Sequence, residues 1–393
     1  MTVSTVRLEE ISELIRNGLS VKQSDDAGGL PVTRIETIST GTINPEKVGF
    51  AGIYGGDKDG WLLQPGDILV SHINSMKHLG KCAIYEGSPD RLIHGMNLLN
   101  VRAKENAAFP RYLFHALSSP VTRRQIPQIA NHSVNQSSFG VRAFGRVKIP
   151  LPPLPEQRRI AAILDKADAV RRKRQQTLDL ADQFLRSAFL HLFGDPVTNP
   201  KGWPMKELGD VCDVRDGTHE SPAYVSKGGY PLVTSKNLTQ GFVDLAGTRN
   251  ISEEDYAQIN RRSKVNRGDV LMPMIGTIGS PVLVDDDPAY AIKNVALIKF
   301  DDASPSAVFV TRLFRSHYFE YAIRQTQRGG TQKFVSLGNL RSLPIPLPAI
   351  ALQGQFEALI SRFRGTQEAV SASGEQLRKL LGSCQQRAFR GML

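Results

Sequence analysis

Two segments of the chain carry apolar residues at heptad spacing, and the second lies 196 residues after the first. Alternating steps of three and four residues keep apolar side chains on one stripe of a helix. The pattern predicts two long helices, the first over about residues 156–193. The larger apolar residues of the two stripes are Leu164, Leu178, Leu185 and Leu192, and then Ile360, Phe363, Val370, Leu377 and Leu381.

Shorter apolar runs precede each of these helices and are typical of strands. Runs such as GDILVSHI, KCAIYEG and LLNVRAK are bounded by glycine, asparagine and aspartate. The stretches FPRYLFHALSSP and SAVFVTRLFRSHYFEYAIRQ have helical spacing instead. Proline-rich segments follow at 150–155 and 344–348, where the fixed φ and the missing amide hydrogen end a strand and permit a helix start. Each long helix is therefore predicted to follow a mixed α/β domain.

The two halves of the chain are also similar in sequence. The segment at 31–44 aligns with 231–244, QPGDILV at 64–70 with NRGDVLM at 266–272, and IPLPPLPEQ at 149–157 with IPLPAIALQ at 345–353. The offsets are 200, 202 and 196 residues, and the three matches keep the same order. Such a repeat indicates two copies of one structural unit.

We therefore predict a mixed α/β chain of two tandem α/β domains, each followed by a long helix. The two helices are predicted to pack as an antiparallel coiled coil about a pseudo-twofold axis, although each could instead pack on its own domain. The predicted segments are residues 1–150, 151–196, 197–348 and 349–393. The first helix would be roughly 55 Å long at ~1.5 Å per residue.

Charge is the first property that indicates a ligand. The 393 residues include 49 Lys and Arg against 38 Asp and Glu, a net charge of +11. Such an excess attracts polyanions, most commonly nucleic acid, although some basic proteins simply have a basic surface. The three cysteines are far apart, and no apolar run reaches the roughly 20 residues that span a bilayer. We expect a cytoplasmic protein without a disulfide scaffold, a zinc site or a membrane partner.

Four loops combine turn-forming residues with side chains that bind bases or phosphates. Arg and Lys bind guanine, Asn and Gln bind adenine, and Ser, Thr and backbone amides bind phosphate. Surface turns and Asx turns are the alternative explanation for any single residue. The four loops lie at 72–78, 131–136, 276–279 and 328–333. Those at 131–136 and 328–333 occupy equivalent places before the proline-rich segments. The candidate DNA-binding residues are His72, Asn74, Ser75, Lys77, Ser133, Asn135, Gln136, Gly276, Thr277, Arg328, Thr331, Gln332 and Lys333.

No catalytic motif is found in the sequence. A phosphate-binding GxxxxGK[ST] loop, a glycine-rich cofactor turn and an HExxH zinc motif are all missing, and His219-Glu220 lacks the second histidine. We expect no catalytic residue, no metal and no cofactor. The basic run at 171–174 has three open explanations: a solvated helix face, a contact with acidic partner subunits, or a contact with DNA.

Four segments together resemble type I restriction-modification specificity subunits. They are LPPLPEQRRIAAIL (151–164), FLRSAFLHLFGDP (184–196), PGDILVSHINSMKHLGKCAIYEG (65–87) and GDVLMPMIGTIGSPVLV (268–284). The resemblance covers essentially the whole chain. It implies two target-recognition domains that each read one half of a bipartite, asymmetric site in double-stranded DNA, with the helices as spacer. It also implies docking of two methyltransferase subunits and, in the full complex, two restriction subunits.

The chain departs from this family at one position. Pro155-Glu156-Gln157 has the family's signature, whereas Leu352 replaces the glutamate in the second copy and Gln353 remains. Two other functions stay open. A self-contained DNA methyltransferase or nuclease would modify or cut DNA without partners, and a structural adaptor would show no sequence preference.

Overall fold

The computed structural model describes the chain except residues 1–3, 26–27, 57, 134–135, 240, 275–279, 327–334, 364, 366–381 and 384–393. The chain forms two compact units, and the long helix passes from the first to the second between Gln175 and Gln176. Both units are mixed α/β, as predicted. The division falls inside the long helix, so the segment boundaries at 150, 196 and 348 remain predictions.

The first unit combines short strands with short helices. Its helices are Leu8–Ile11, Pro110–Ser118, Pro120–Arg123, Ile126–Ile129 and Val141–Gly145, the start of Leu154–Phe193, and the 3₁₀ turns Glu36–Ile38 and Asp59–Trp61. Its strands are Thr5–Arg7, Ser12–Asn17, Val32–Thr33, Val48–Gly49, Ile68–Ser71, Ile73–Asn74, Cys82–Ile84, Leu98–Ala103, Asn131–His132, Ser137–Ser138 and Lys148–Pro150.

The second unit has the same kinds of element and some additional ones. Its helices are Leu208–Val211, Glu253–Ser263, Ala307–Phe314, His317–Thr326 and Leu337–Arg341, the 3₁₀ turn Ser235–Asn237 and a helix over 350–363. Its strands are Met205–Glu207, Asp213–Asp216, Tyr224–Val225, Tyr230–Val233, Leu238–Thr239, Phe242–Val243, Arg249–Ile251, Val270–Pro273, Val282–Leu283, Ala291–Ile292, Val295–Lys299 and Pro344–Pro346.

A four-stranded antiparallel sheet with the same strand order forms the centre of each unit. In the first sheet the spatial order is Ser12–Asn17, Leu98–Ala103, Ile68–Ser71 and Cys82–Ile84. In the second sheet it is Asp213–Asp216, Val295–Lys299, Val270–Pro273 and Val282–Leu283. Equal order in sheets built from matching sequence segments confirms that the chain contains one architecture twice.

The repeated Gly-Asp turn holds a buried carboxylate in both units. Asp67 accepts from the backbone amide of Gln64 at 2.9 Å and from Arg102 at 2.7 and 2.8 Å. In the second unit Asp269 accepts from the amide of Asn266 at 2.7 Å and from Lys299 at 2.6 Å. The glycine before each aspartate has a φ above 90°, a conformation that side chains with a Cβ rarely adopt. The repeat in sequence thus records a repeated structural turn.

A buried glutamine anchors the start of each long helix to its own unit. The Gln157 side-chain oxygen accepts from the Phe109 amide at 2.8 Å, and its nitrogen donates to the carbonyls of Ala107 and Pro152. The Gln353 oxygen accepts from the Ser306 amide at 2.8 Å, and its nitrogen donates to the Pro348 carbonyl at 2.7 Å. Since both amides precede a helix, the glutamines satisfy donors that a helix start leaves unpaired.

The first long helix is observed over Leu154–Phe193, close to the predicted bounds. The start of this helix packs on the first unit, where Leu164 is 1% exposed. This part agrees with the alternative that each helix packs on its own domain. Leu185 is buried in the second unit, while Leu178 and Leu192 are half-buried. The heptad frame missed Phe189 and Phe193, which are buried in the core of the second unit.

Within the second unit, the end of the long helix packs against the helix over 350–363. Phe184 stacks on Phe363 with ring centres 5.0 Å apart, and Phe193 meets Phe356 edge-on at 5.5 Å. Because the contact order is reversed along the two segments, they run antiparallel where they touch. Ile360 is half-buried beside the same core. Val370, Leu377 and Leu381 lie outside the described residues, so a coiled coil over the full stripe stays a prediction.

Candidate nucleic-acid interface

In the first unit, the structure brings two of the predicted loops together. The strands Ile73–Asn74, Ser137–Ser138 and Asn131–His132 form a small three-stranded sheet with Ser137–Ser138 in the middle. Ser137 pairs with Asn74 on one side and with His132 on the other. The loops at 72–78 and 131–136 are therefore neighbours although some sixty residues separate them in sequence.

The candidate side chains of these two loops differ in how much they are used locally. Asn74 donates to Ser71 Oγ at 3.1 Å and accepts from the Ser75 amide at 2.8 Å, which is the Asx-type alternative. Ser133 donates its hydroxyl to the Gln136 carbonyl. The side chains of Ser75, Lys77 and Gln136 are exposed, while Asn135 lies outside the described residues. Ser75, Lys77 and Gln136 are thus the candidates whose side chains can reach a ligand.

His72 is the candidate that the structure places differently. Its ring is 7% exposed, and its Nδ1 lies 3.1 Å from the Phe139 carbonyl. Burial lowers the pKa of His72, so that the ring is neutral at pH 7. The structure thus places this ring inside the unit rather than on its surface, and a contact of His72 with DNA stays a prediction. His72 instead joins the two loops, because its carbonyl also accepts from the Phe139 amide at 3.0 Å.

Cations surround the turn that follows this small sheet. The positive charge of Lys81 lowers the pKa of the nearby His78, and burial, Lys77 and Arg123 lower it further. A lowered pKa next to three cationic side chains indicates a locally positive potential. That potential suits a phosphate backbone.

In the second unit, a backbone hydrogen bond joins the two positions next to the remaining loops. The Val335 amide donates to the Met274 carbonyl at 3.0 Å, at the positions that correspond to Phe139 and His72. The predicted residues beyond this hydrogen bond, Gly276, Thr277, Arg328, Thr331, Gln332 and Lys333, lie outside the described residues. The same backbone hydrogen bond is therefore present in both units, next to the predicted pair of loops in each.

A polar cleft of about 220 Å³ lies at the end of the strand Asp213–Asp216. His219 bonds Asp216 and Asn294 at 2.8 Å each, and Arg262 forms an ion pair with Asp216. Sequence reasoning considered His219-Glu220 only as a metal motif and set it aside. The sequence signal that could have identified the site is the alignment of Asp216-Gly217 with Asn17-Gly18, where the matching strand of the first unit ends.

The described part of the chain offers little for catalysis. No group of three or more His, Cys, Asp or Glu residues among the described positions is arranged to hold a metal ion. Burial raises the pKa of the Cys82 and Cys212 thiols to about 12, which makes them poor nucleophiles. No described helix is long and apolar enough to cross a membrane.

Comparisons with known proteins agree with this architecture. The family model for the type I restriction modification DNA specificity domain matches residues 2–179 and again 200–372. The chain is 32% identical to the MjaX specificity subunit of Methanocaldococcus jannaschii, over 92% of this chain and 86% of that protein. It is 24% identical to the EcoBI specificity subunit of Escherichia coli, over 96% and 84% of the two chains.

A solved structure shows the same fold. The crystal structure of the type I restriction-modification S subunit from M. genitalium superposes with a TM-score of 0.62 at 11% identity, over 98% of this chain and 96% of that one. The family model matches once in each half, as expected for a duplicated chain. The chain belongs to the family of type I restriction-modification DNA specificity subunits, the non-catalytic DNA-recognition components of these systems.

Proposed function

We propose that each unit reads one half of a bipartite, asymmetric site in double-stranded DNA. The observation that carries the proposal is the small sheet of the first unit, which joins two distant loops whose residues Ser75, Lys77 and Gln136 are exposed. The matching hydrogen bond between Met274 and Val335 supports an equivalent surface in the second unit. Because the loop sequences of the two units differ, we infer two different half-sites.

The side chains of the first unit suit different roles in DNA binding. Lys77, with Lys81 and Arg123 close to His78, provides positive charge for phosphates, which fix the position of the protein on the duplex. Gln136 has the donor and acceptor pair that matches adenine in the major groove. His72 acts as a positioning residue, because its backbone holds the two loops together.

The half-site assignment can be tested by exchanging domains. Residues 31–150 are replaced by the equivalent segment of another specificity subunit, and methylation is mapped in cells that carry the partner subunits. We expect one half of the methylated sequence to change and the other half to remain. Changes in both halves would show that the units do not read independently. Methylation or cleavage of DNA by the purified chain alone would instead favour a self-contained enzyme.

We further propose that the two helices space the half-sites and that two methyltransferase subunits dock on the chain, joined by two restriction subunits in the full complex. Relatives named as subunits of type I restriction enzymes support an assembly of this kind. The 40-residue helix would span roughly 60 Å at ~1.5 Å per residue. Its middle is solvated, since Arg171, Arg172 and Lys173 are exposed.

The spacer role can be tested by lengthening both helices by one heptad. One insertion lies between Val170 and Leu178 and the other after Phe363, so that the apolar stripes keep their frame. We expect the gap between the two half-sequences to grow, by close to three base pairs if the helix adds ~10 Å. An unchanged gap in an active mutant would show that the helices are not the spacer.

A further inference from the structure

The end of the second sheet carries polar side chains that have no assigned role in DNA recognition. The strands Asp213–Asp216 and Val270–Pro273 both pair antiparallel with Val295–Lys299, so they run parallel to each other. They end at the same edge of the sheet, about 10 Å apart at two strand spacings. The residues after Asp216 therefore stand at the same edge as Met274, from which the chain continues into the predicted loop at 276–279.

A hydrogen-bond network fixes the chain after Asp216. His219 Nε2 lies 2.8 Å from an Asp216 carboxylate oxygen, and Nδ1 lies 2.8 Å from the Asn294 side-chain oxygen. Both partners are acceptors, so a protonated ring satisfies both bonds. Accordingly the bond to Asn294, followed by the bond to Asp216, raises the pKa of His219. The Asp216 side chain is 7% exposed and also pairs with Arg262, so the network has a buried anchor.

Two charged side chains next to this anchor have no partner of opposite charge among the described residues. Glu220 is exposed, and its carboxylate has no partner among the described residues. Lys293 donates to the Ser221 hydroxyl, and no carboxylate in the described part of the chain neutralises its charge. The cleft that Glu220 and Ser221 line measures about 220 Å³, below the usual range for small-molecule pockets. A groove of DNA, which needs no enclosed cavity, fits this surface better.

We propose that Glu220 is a specificity-determining residue of the second unit that accepts a hydrogen bond from a base amino group in the major groove. This rests on the proposed DNA-reading function. A carboxylate at a DNA-facing edge is repelled by phosphates, and base amino groups are the donors that attract it. Cytosine N4 and adenine N6 share this chemistry. Lys293 offsets the repulsion from the backbone, while Asp216, His219 and Asn294 are positioning residues.

The test compares Glu220→Gln and Glu220→Ala with Glu254→Gln, which removes an equally exposed carboxylate that does not line the cleft. The full chain with its methyltransferase partners is incubated with DNA randomised in each half-site, and bound sequences are read at fixed salt. We expect Glu220→Ala to reduce discrimination at one position of the second half-site by about fivefold or more. A preferred cytosine or adenine at that position in the wild type identifies the amino group.

Two results would overturn the inference. If Glu220→Ala bound all DNA sequences more tightly to the same degree, with an unchanged preference, the carboxylate would only repel the DNA backbone. If the Glu220 variants bound DNA with the same affinity and preference as Glu254→Gln, Glu220 would lie away from DNA. A wild-type chain without any sequence preference would instead refute the proposed function itself, so the two failures are distinguishable.

The positioning role of His219 has its own readout. In His219→Gln we expect weaker discrimination at the same position and no change in the other half-site. In the wild type this discrimination should fall as the pH rises through the raised pKa of His219, because the neutral ring can donate only one of its two bonds. Discrimination that depends on pH equally in both proteins would exclude His219. A thermal melt at each pH serves as the folding control.

Discussion

The two units of this chain share their buried polar contacts and differ at the end of their central sheets. Asp67 and Asp269 occupy the same turn, and both carboxylates bond a backbone amide three residues earlier. At the sheet end, however, Leu19 follows Gly18 in the first unit, whereas Thr218, His219 and Glu220 follow Gly217 in the second. The comparison teaches that the repeat preserves the framework, while the surface proposed to read DNA varies.

The units also differ in the part that surrounds the sheet. Val32 pairs parallel with Ile93 in the first unit, as Tyr230–Val233 does with Ala291–Ile292 in the second. In the second unit this pairing belongs to a sheet of four strands, and the unit also contains the helix Glu253–Ser263. Tyr230 stacks on Tyr256 of this helix at 3.9 Å. The helix supplies Arg262 to the Asp216 network. The variable part thus contributes to the network around Asp216, next to the proposed base-reading residue.

The largest expected effect on stability comes from removing the buried carboxylate that each unit has in its repeated turn. We expect Asp67→Ala to lower the free energy of unfolding by about 3 kcal/mol or more, because it leaves Arg102 half-buried without its partner. Asp269→Ala should cost less, since Lys299 makes one bond where Arg102 makes two. Urea unfolding measures both. Asp59→Ala, which removes an exposed ion pair with Arg91, is the control and should cost less than about 1 kcal/mol.

An intermediate effect should separate the two residues of the Glu-Gln signature. Gln157→Leu and Gln353→Leu should each cost about 1–3 kcal/mol, because a buried backbone amide loses its acceptor. Glu156→Leu copies the second unit and removes only an exposed pair with Arg159, so it should cost under about 1 kcal/mol. Equal losses for Gln157→Leu and Glu156→Leu would contradict the helix-anchoring role of the glutamine.

The smallest effect concerns the first unit alone. DNA phosphates near His78 should raise its pKa, which Lys81 lowers in the free protein, so binding takes up a proton. Affinity for the first half-site should therefore rise a few-fold as the pH falls below the ordinary value of 6.5. His219, whose pKa is raised, is already protonated there. His78→Gln should abolish the trend; an unchanged trend would place the phosphates elsewhere.

The sequence determined the duplicated architecture, the bounds of the first long helix and the family of the chain. These follow from local periodicity and from repeated segments, which are visible without knowing any long-range contact. The heptad frame nevertheless missed Phe189 and Phe193, because their burial depends on Phe309 and Phe356 from distant elements. A stripe identifies an apolar face but not what covers it.

Which polar residues belong to the framework and which to the surface becomes visible in the three-dimensional fold. His72 and Asn74 have base-reading side chains, yet His72 is buried and the amide of Asn74 is engaged in local bonds. Glu220 belongs to no complete motif, yet it follows Asp216, which the strand pairing places at the same end of the sheet as Pro273. Burial and strand pairing join residues that are far apart in the chain, so spacing along the sequence cannot reveal them.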